Sequence, residues 1–173
     1  MTYLIVDELL DETPIQQVFT CNEFTAIERV RPHLAFINID NSSNPGSLTV
    51  RIRQSDETLI QEKTLTFAQI IAADTADRDV LGDALASTNA EWHGFISFIF
   101  DNVVNLHRGE YIMEVEADYN YTYDAYWCGW VMEHDDPPYA ETDGYIFPDD
   151  INQDQVPHTF EIFAWQVQRD FGI

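Results

Sequence analysis

Hydrophobic and polar residues alternate with period two along much of the chain, and that alternation predicts strands. In Ser47–Arg53, Leu48, Val50 and Ile52 share one parity, and Thr49, Arg51 and Arg53 the other. The pattern reads as a half-buried strand with its basic side chains facing water. Turn residues follow at Gln54–Glu57, and Thr58–Phe67 resumes as a strand with Leu59, Leu65 and Phe67 on one parity. The two segments predict a β-hairpin. Alternation is longest from Glu110 to Asn120, after the turn at Arg108-Gly109. Tyr111, Met113, Val115, Ala117 and Tyr119 form one face; Glu114, Glu116 and Asp118 form the other.

Trp92–Phe100 is almost continuously apolar or aromatic, which predicts a single strand buried on both sides or central in a sandwich. Further strands are expected at Pro14–Thr20, Ala26–Ile39, Tyr123–Met132 and His158–Val167. Helix is scarce. Ala68–Ala73 and Asp77–Ala86 suit short helical turns in one crossover, with Asp77 or Asp79 as an N-cap and Gly82 limiting the length. The expected fold is all-β: an antiparallel β-sandwich of jelly-roll type in one domain spanning 1–173. Residues 1–13 are set apart as an amino-terminal arm, and 134–157 as an acidic irregular loop with four prolines.

Composition changes this picture in one respect. The chain of 173 residues carries 31 acidic and 8 basic side chains, a formal net charge of −23. Such a field repels nucleic acid and anionic membranes, and it attracts cations or a basic protein surface. A salty environment explains an acidic surface equally well. The beginning of the chain lacks a basic start followed by a long apolar stretch, so synthesis and folding are expected in a cytosol. No apolar run approaches the ~18 residues of a membrane span. The two cysteines, Cys21 and Cys128, form no framework, and pairing between them is left open.

Catalytic chemistry finds little support. Of the five histidines, none stands in a zinc-like spacing, and His93 in an apolar strand suits a hydrogen-bonded structural role. No nucleophile elbow or phosphate-cradling loop occurs. Two features remain as binding candidates. Tyr121, Tyr123, Tyr126, Trp127 and Trp130 form an aromatic cluster suited to core packing, a protein interface or stacking on sugar rings. Asp135, Asp136, Asp143, Asp149 and Asp150, with Glu141 and Asp154, supply the oxygen ligands calcium prefers, without the spacing of an EF-hand.

The order of segments resembles jelly-roll modules of the galactose-binding-like and carbohydrate-binding-like kind, which also occur among bacteriophage virion proteins. The residues that carry the resemblance are Gln17-Val-Phe-Thr20, Ala26–Ile39, Leu48–Arg53 with Lys63–Thr66, Trp92–Phe98, Leu106-His-Arg-Gly-Glu-Tyr111, and Trp127 with Trp130. It implies a non-enzymatic virion structural protein: a phage capsid decoration, fibre or tail accessory protein. Such a protein assembles with itself as a homo-oligomer, or with coat or tail proteins, and reaches the virion from the host cytosol without a signal peptide. The alternative is a carbohydrate-binding module, with calcium as a possible aid and no other cofactor implied.

Overall fold

A computed structural model describes residues 3–9, 14–37, 46–72, 78–80, 92–120, 127–134 and 160–165. The described residues are mostly antiparallel strand, arranged in two sheets. The strands are β1 (Tyr3–Glu8), β2 (Ile15–Cys21), β3 (Thr25–Ile37), β4 (Ser47–Gln54), β5 (Leu59–Thr66), β6 (Arg78–Val80), β7 (Trp92–Phe95), β8 (Phe98–Leu106), β9 (Gly109–Asp118), β10 (Trp127–His134) and β11 (Phe160–Trp165). One short helix, α1 (Phe67–Ala72), follows β5.

The smaller sheet has the order β2-β9-β4-β5. Its inner face is the apolar parity read from the sequence: Leu48, Val50 and Ile52 of β4, and Met113, Val115 and Ala117 of β9, are all fully buried. The β4–β5 turn is closed by bonds from the Gln54 N–H to the Thr58 carbonyl and from the Glu57 N–H to the Gln54 carbonyl. Asp56 accepts from the Thr58 N–H, and Glu57 takes the left-handed conformation the turn requires, at φ 68°. One expectation is corrected here. The register steps from Ile52↔Gln61 to Arg53↔Leu59, so Ile60 is a bulged residue. The bulge reverses the parity beyond it. Ile60 packs against the core, and Leu59, expected to face inward with Leu65, is 45% exposed.

The larger sheet is built on β3, whose 13 residues serve two sets of partners. Its first part lies between β8 and β11, and its second part between β7 and β10. Pro32, which has no N–H to give a ladder, stands where the partners change. The Ile96 N–H donates to the Pro32 carbonyl there. Trp92–Phe100 is therefore not one strand. It breaks at Ile96-Ser97 into β7 and β8, and Ile99 is 52% exposed. β1, within the segment set apart as an arm, pairs along its length with β10, and the next residue, Leu9, is fully buried.

The crossover also departs from expectation. The helix over Ala68–Ala73 is present as α1, and its start is a reciprocal cap: the Gln69 N–H donates to Thr66 Oγ1 while the Thr66 N–H donates to Gln69 Oε1. Phe67 and Ile70 anchor the helix in the core. Within Asp77–Ala86, however, Arg78–Val80 is strand, paired with β7. Asp and Gly give that segment little helical preference, and an available sheet edge satisfies its backbone instead.

The sheets join through two adjacent corners. The β2/β9 ladder ends at Cys21↔Gly109, and the β3/β8 ladder begins at Thr25↔Leu106. A two-stranded ribbon thus bends from one sheet into the other. The Phe24 and His107 rings meet at the bend, 5.5 Å between centroids.

Candidate functional site

The outer face of the smaller sheet is a field of paired charges centred on Glu114. Its two oxygens accept from Arg53 Nε and Nη2 and from Arg51 Nη1, each at 2.9 Å, and from Gln16 Nε2 at 2.7 Å. Arg51 also bridges Glu62 at 2.9 Å and Glu116. The register explains the arrangement, because Arg51 stands directly opposite both Glu114 on β9 and Glu62 on β5. Burial works to raise the Glu114 pKa, but the bonds from Arg53, Gln16 and Arg51 outweigh it and hold the carboxyl below its ordinary range. The basic face expected to meet water is therefore neutralised by β9. Sequence held the signal: two arginines at alternate positions of one strand and two glutamates at alternate positions of another predict pairing.

Beyond this network lies β2, which forms the sheet's edge. Its sequence, Ile-Gln-Gln-Val-Phe-Thr-Cys, carries no charged residue and no proline. Val18 is 56% exposed and pairs across the ladder with Ile112. The partly buried Phe19 ring reaches Tyr111 at 5.9 Å and Phe160 of the other sheet at 5.8 Å, so the strand is firmly seated. Every other edge among the described strands carries charge: Glu62 and Lys63 on β5, Asp7 and Glu8 on β1, Arg78 and Asp79 on β6, Asp101 on β8, Glu161 on β11. Natural edges are normally blunted by such charges or by proline. β2 is not.

A recess lies beside the corner where the ribbon bends. It is an open cleft of about 400 Å³, lined by Gln54, Asn105, His107, Glu110 and Tyr111 among others. The Tyr111 hydroxyl donates to the His107 carbonyl at 3.0 Å, which fixes the Leu106–Tyr111 turn. Phe24, 51% exposed, stands against His107 nearby.

The aromatic and acidic candidates fare differently. Trp130 is fully buried, its ring 6.2 Å from Phe160, and so it packs the core instead of presenting a face to a partner or a sugar. Its inward parity on β10, opposite Leu34, decides this. Trp127 opens β10, opposite Ile37. Tyr121, Tyr123 and Tyr126 lie outside the described residues, as do Asp135, Asp136, Asp143, Asp149 and Asp150. Among the described residues, no group of three or more His, Cys, Asp or Glu side chains gathers to hold a metal. No helix there is long and apolar enough to cross a membrane.

Cys21 and Cys128 are free and buried. Burial pushes both thiols above the ordinary range, Cys128 furthest. Tyr119, inward as its parity predicted, donates its hydroxyl proton to the Leu9 carbonyl at 2.8 Å and accepts from the Cys128 N–H at 3.3 Å. His93 makes a ring-to-ring hydrogen bond with His33 at 2.7 Å.

No family model matches the chain, and neither a curated protein nor a solved structure matches it.

Proposed function

We propose that the protein is a non-enzymatic assembly module, a virion structural component of the phage decoration, fibre or tail accessory kind, which joins copies of itself through β2. The uncharged edge carries this reading. Two chains of net charge −23 repel wherever acidic surfaces meet, and β2 is the described edge where backbones can approach without opposing like charges. Antiparallel pairing about Val18 sets Gln16 opposite Thr20 and covers the Val18–Ile112 stripe. The two four-stranded sheets then become one continuous sheet across a two-fold axis. The ribbon that bends between sheets supports a jelly-roll arrangement, and the virion setting rests on the resemblance and on the charge.

Light scattering on the purified protein tests the edge. A dimer is expected, with Val18→Lys monomeric and equally heat-stable. A wild-type monomer across the accessible concentration range would sink the proposal. Mass spectrometry of purified particles tests the virion setting.

The corner cleft favours a second reading as a carbohydrate-binding module. Its size suits a small ligand, and Tyr111 beside Glu110, Asn105 and Gln54 combines a ring face with groups that bind hydroxyls. Retention of a monomer on a glycan array, lost in Tyr111→Ala, would select it. If calcium assists, chelation lowers the melting temperature.

A further inference from the structure

Two histidines far apart in sequence meet where a short strand is held to the larger sheet. The β3–β7 register pairs His33 with Phe95 and Ala35 with His93, which makes the two histidines diagonal neighbours. His33 is 5% exposed, and its ring is stacked on Phe95 with centroids 4.6 Å apart. Nε2 of His33 and Nδ1 of His93 lie 2.7 Å apart. The strand they hold, β7, has 4 residues, and opposite the fully buried Leu34 it places Gly94, which has no side chain to bury. Arg31 Nη2 adds a bond to the Phe95 carbonyl at 3.2 Å. Among the described strands β6 is paired with β7 alone, so it depends on the same attachment.

The contact limits how many protons the pair can carry. The two ring nitrogens that face each other share one proton, one donating and the other accepting. The remaining two nitrogens hold one proton in the neutral pair and two after a proton is added. A second added proton puts an N–H on both facing nitrogens, and the contact breaks. The Arg31 guanidinium, 5.7 Å from the Phe95 ring, adds positive charge beside the stack. Asp79 of β6 is paired with His93, and Glu161 of β11 with Arg31. Negative charge at those positions favours the first added proton, but no charge lets two N–H groups share one hydrogen bond. The β10 residues paired with β3, Trp127–Trp130, are uncharged.

We propose that the His33–His93 pair is an acid-released latch, which holds β7 on β3 near neutral pH and frees β7 with β6 when the second proton binds. Release bares the β3 backbone at His33–Phe36, a stretch without acidic residues, as a further edge for strand pairing. Linkage gives the direction. Freed histidines both bind protons in the ordinary range near pH 6.5, whereas the latched pair stops at one, so the open form holds more protons and acid favours it. Between pH 7 and pH 5 the opening equilibrium should rise about 10- to 30-fold.

Amide hydrogen exchange, corrected for the intrinsic rate at each pH, reads the opening at His93–Phe95 and at the β3 amides that face β7. Protection there is expected to fall by that factor between pH 7 and pH 5, while β4 and β9 keep theirs. His93→Gln, whose side-chain amide can keep a hydrogen bond without titrating, is expected to remove the pH dependence. In the unaltered protein the imidazole nitrogen resonances should titrate in two separate steps, the second together with loss of β7 protection. That measurement tests the latch even where the variant folds poorly. Titration of both rings in one step with β7 protection unchanged at pH 5, an equal loss across β4 and β9, or the same pH dependence in His93→Gln would each overturn it.

Discussion

The two sheets solve the same burial problem by different means. In the β2-β9-β4-β5 sheet each strand keeps its partners along its length, with a bulge at Ile60 of β5, and the apolar inner parity runs unbroken through Leu48–Ile52 of β4 and Met113–Ala117 of β9. Its outer face is held by charge-assisted bonds converging on Glu114. In the larger sheet β3 exchanges partners midway, β8 and β11 carry register shifts, and β7 is only 4 residues long. There the buried core side chains, Trp130 of β10 and Phe36 of β3 above all, do the holding. A regular ladder can carry a polar network on its outer face because the register repeats. An interrupted ladder relies on packing, which tolerates irregular backbone as long as the space is filled.

Removing a large side chain from the interrupted sheet should show the greater loss. Trp130→Ala empties a fully buried site against Phe160 and is expected to lower stability by about 3–5 kcal/mol, read by denaturant unfolding. A loss below about 1 kcal/mol would mean that packing is not what holds this sheet.

Glu114→Gln addresses the regular sheet. Removing one partner of a buried ion pair costs roughly 3–5 kcal/mol, and about 2–3 is expected here because Arg51 and Arg53 remain partly solvated. The pH dependence follows from the depressed carboxyl. The unfolded chain binds the proton more readily than the folded one, so the contribution is full above the ordinary glutamate range near 4.5. It is lost as pH falls below that range through the folded value. The wild type should therefore destabilise on acidification from pH 5 to 3 more steeply than Glu114→Gln, and equal slopes would contradict the network's role.

The smallest effect is expected where the sheets are tied together. Tyr119→Phe keeps the ring against Phe67 but leaves the Leu9 carbonyl and the Cys128 N–H without their hydroxyl partner. A loss of about 1–3 kcal/mol is expected. The buried Cys128 thiol should also become easier to alkylate, and unchanged stability and unchanged labelling would show that the hydroxyl bridge is dispensable.

Much of the regular sheet was legible in advance. Leu48–Ile52 and Met113–Ala117 declare their inward faces by local alternation, and Tyr119 continues it. Leu59 misled because a bulge of one residue reverses parity, and nothing in the residue types at 59–61 announces one. Trp92–Phe100 misled because an apolar run does not tell where a partner strand ends. The candidate edge was partly legible: β2 was expected as a strand, but only the sheet order places it outermost. The His33–His93 contact was not legible, since 60 residues separate the two rings.

Sequence by itself determined the class of this protein: period-two alternation makes strands, scarce helical pattern excludes a helical layer, and a net charge of −23 shapes every encounter with a partner. Tertiary structure decided which strands stand side by side, where β3 changes partners, and which edge is left without charge. The physical reason is that alternation is a property of neighbouring residues, whereas register is chosen by backbone pairing between segments remote along the chain.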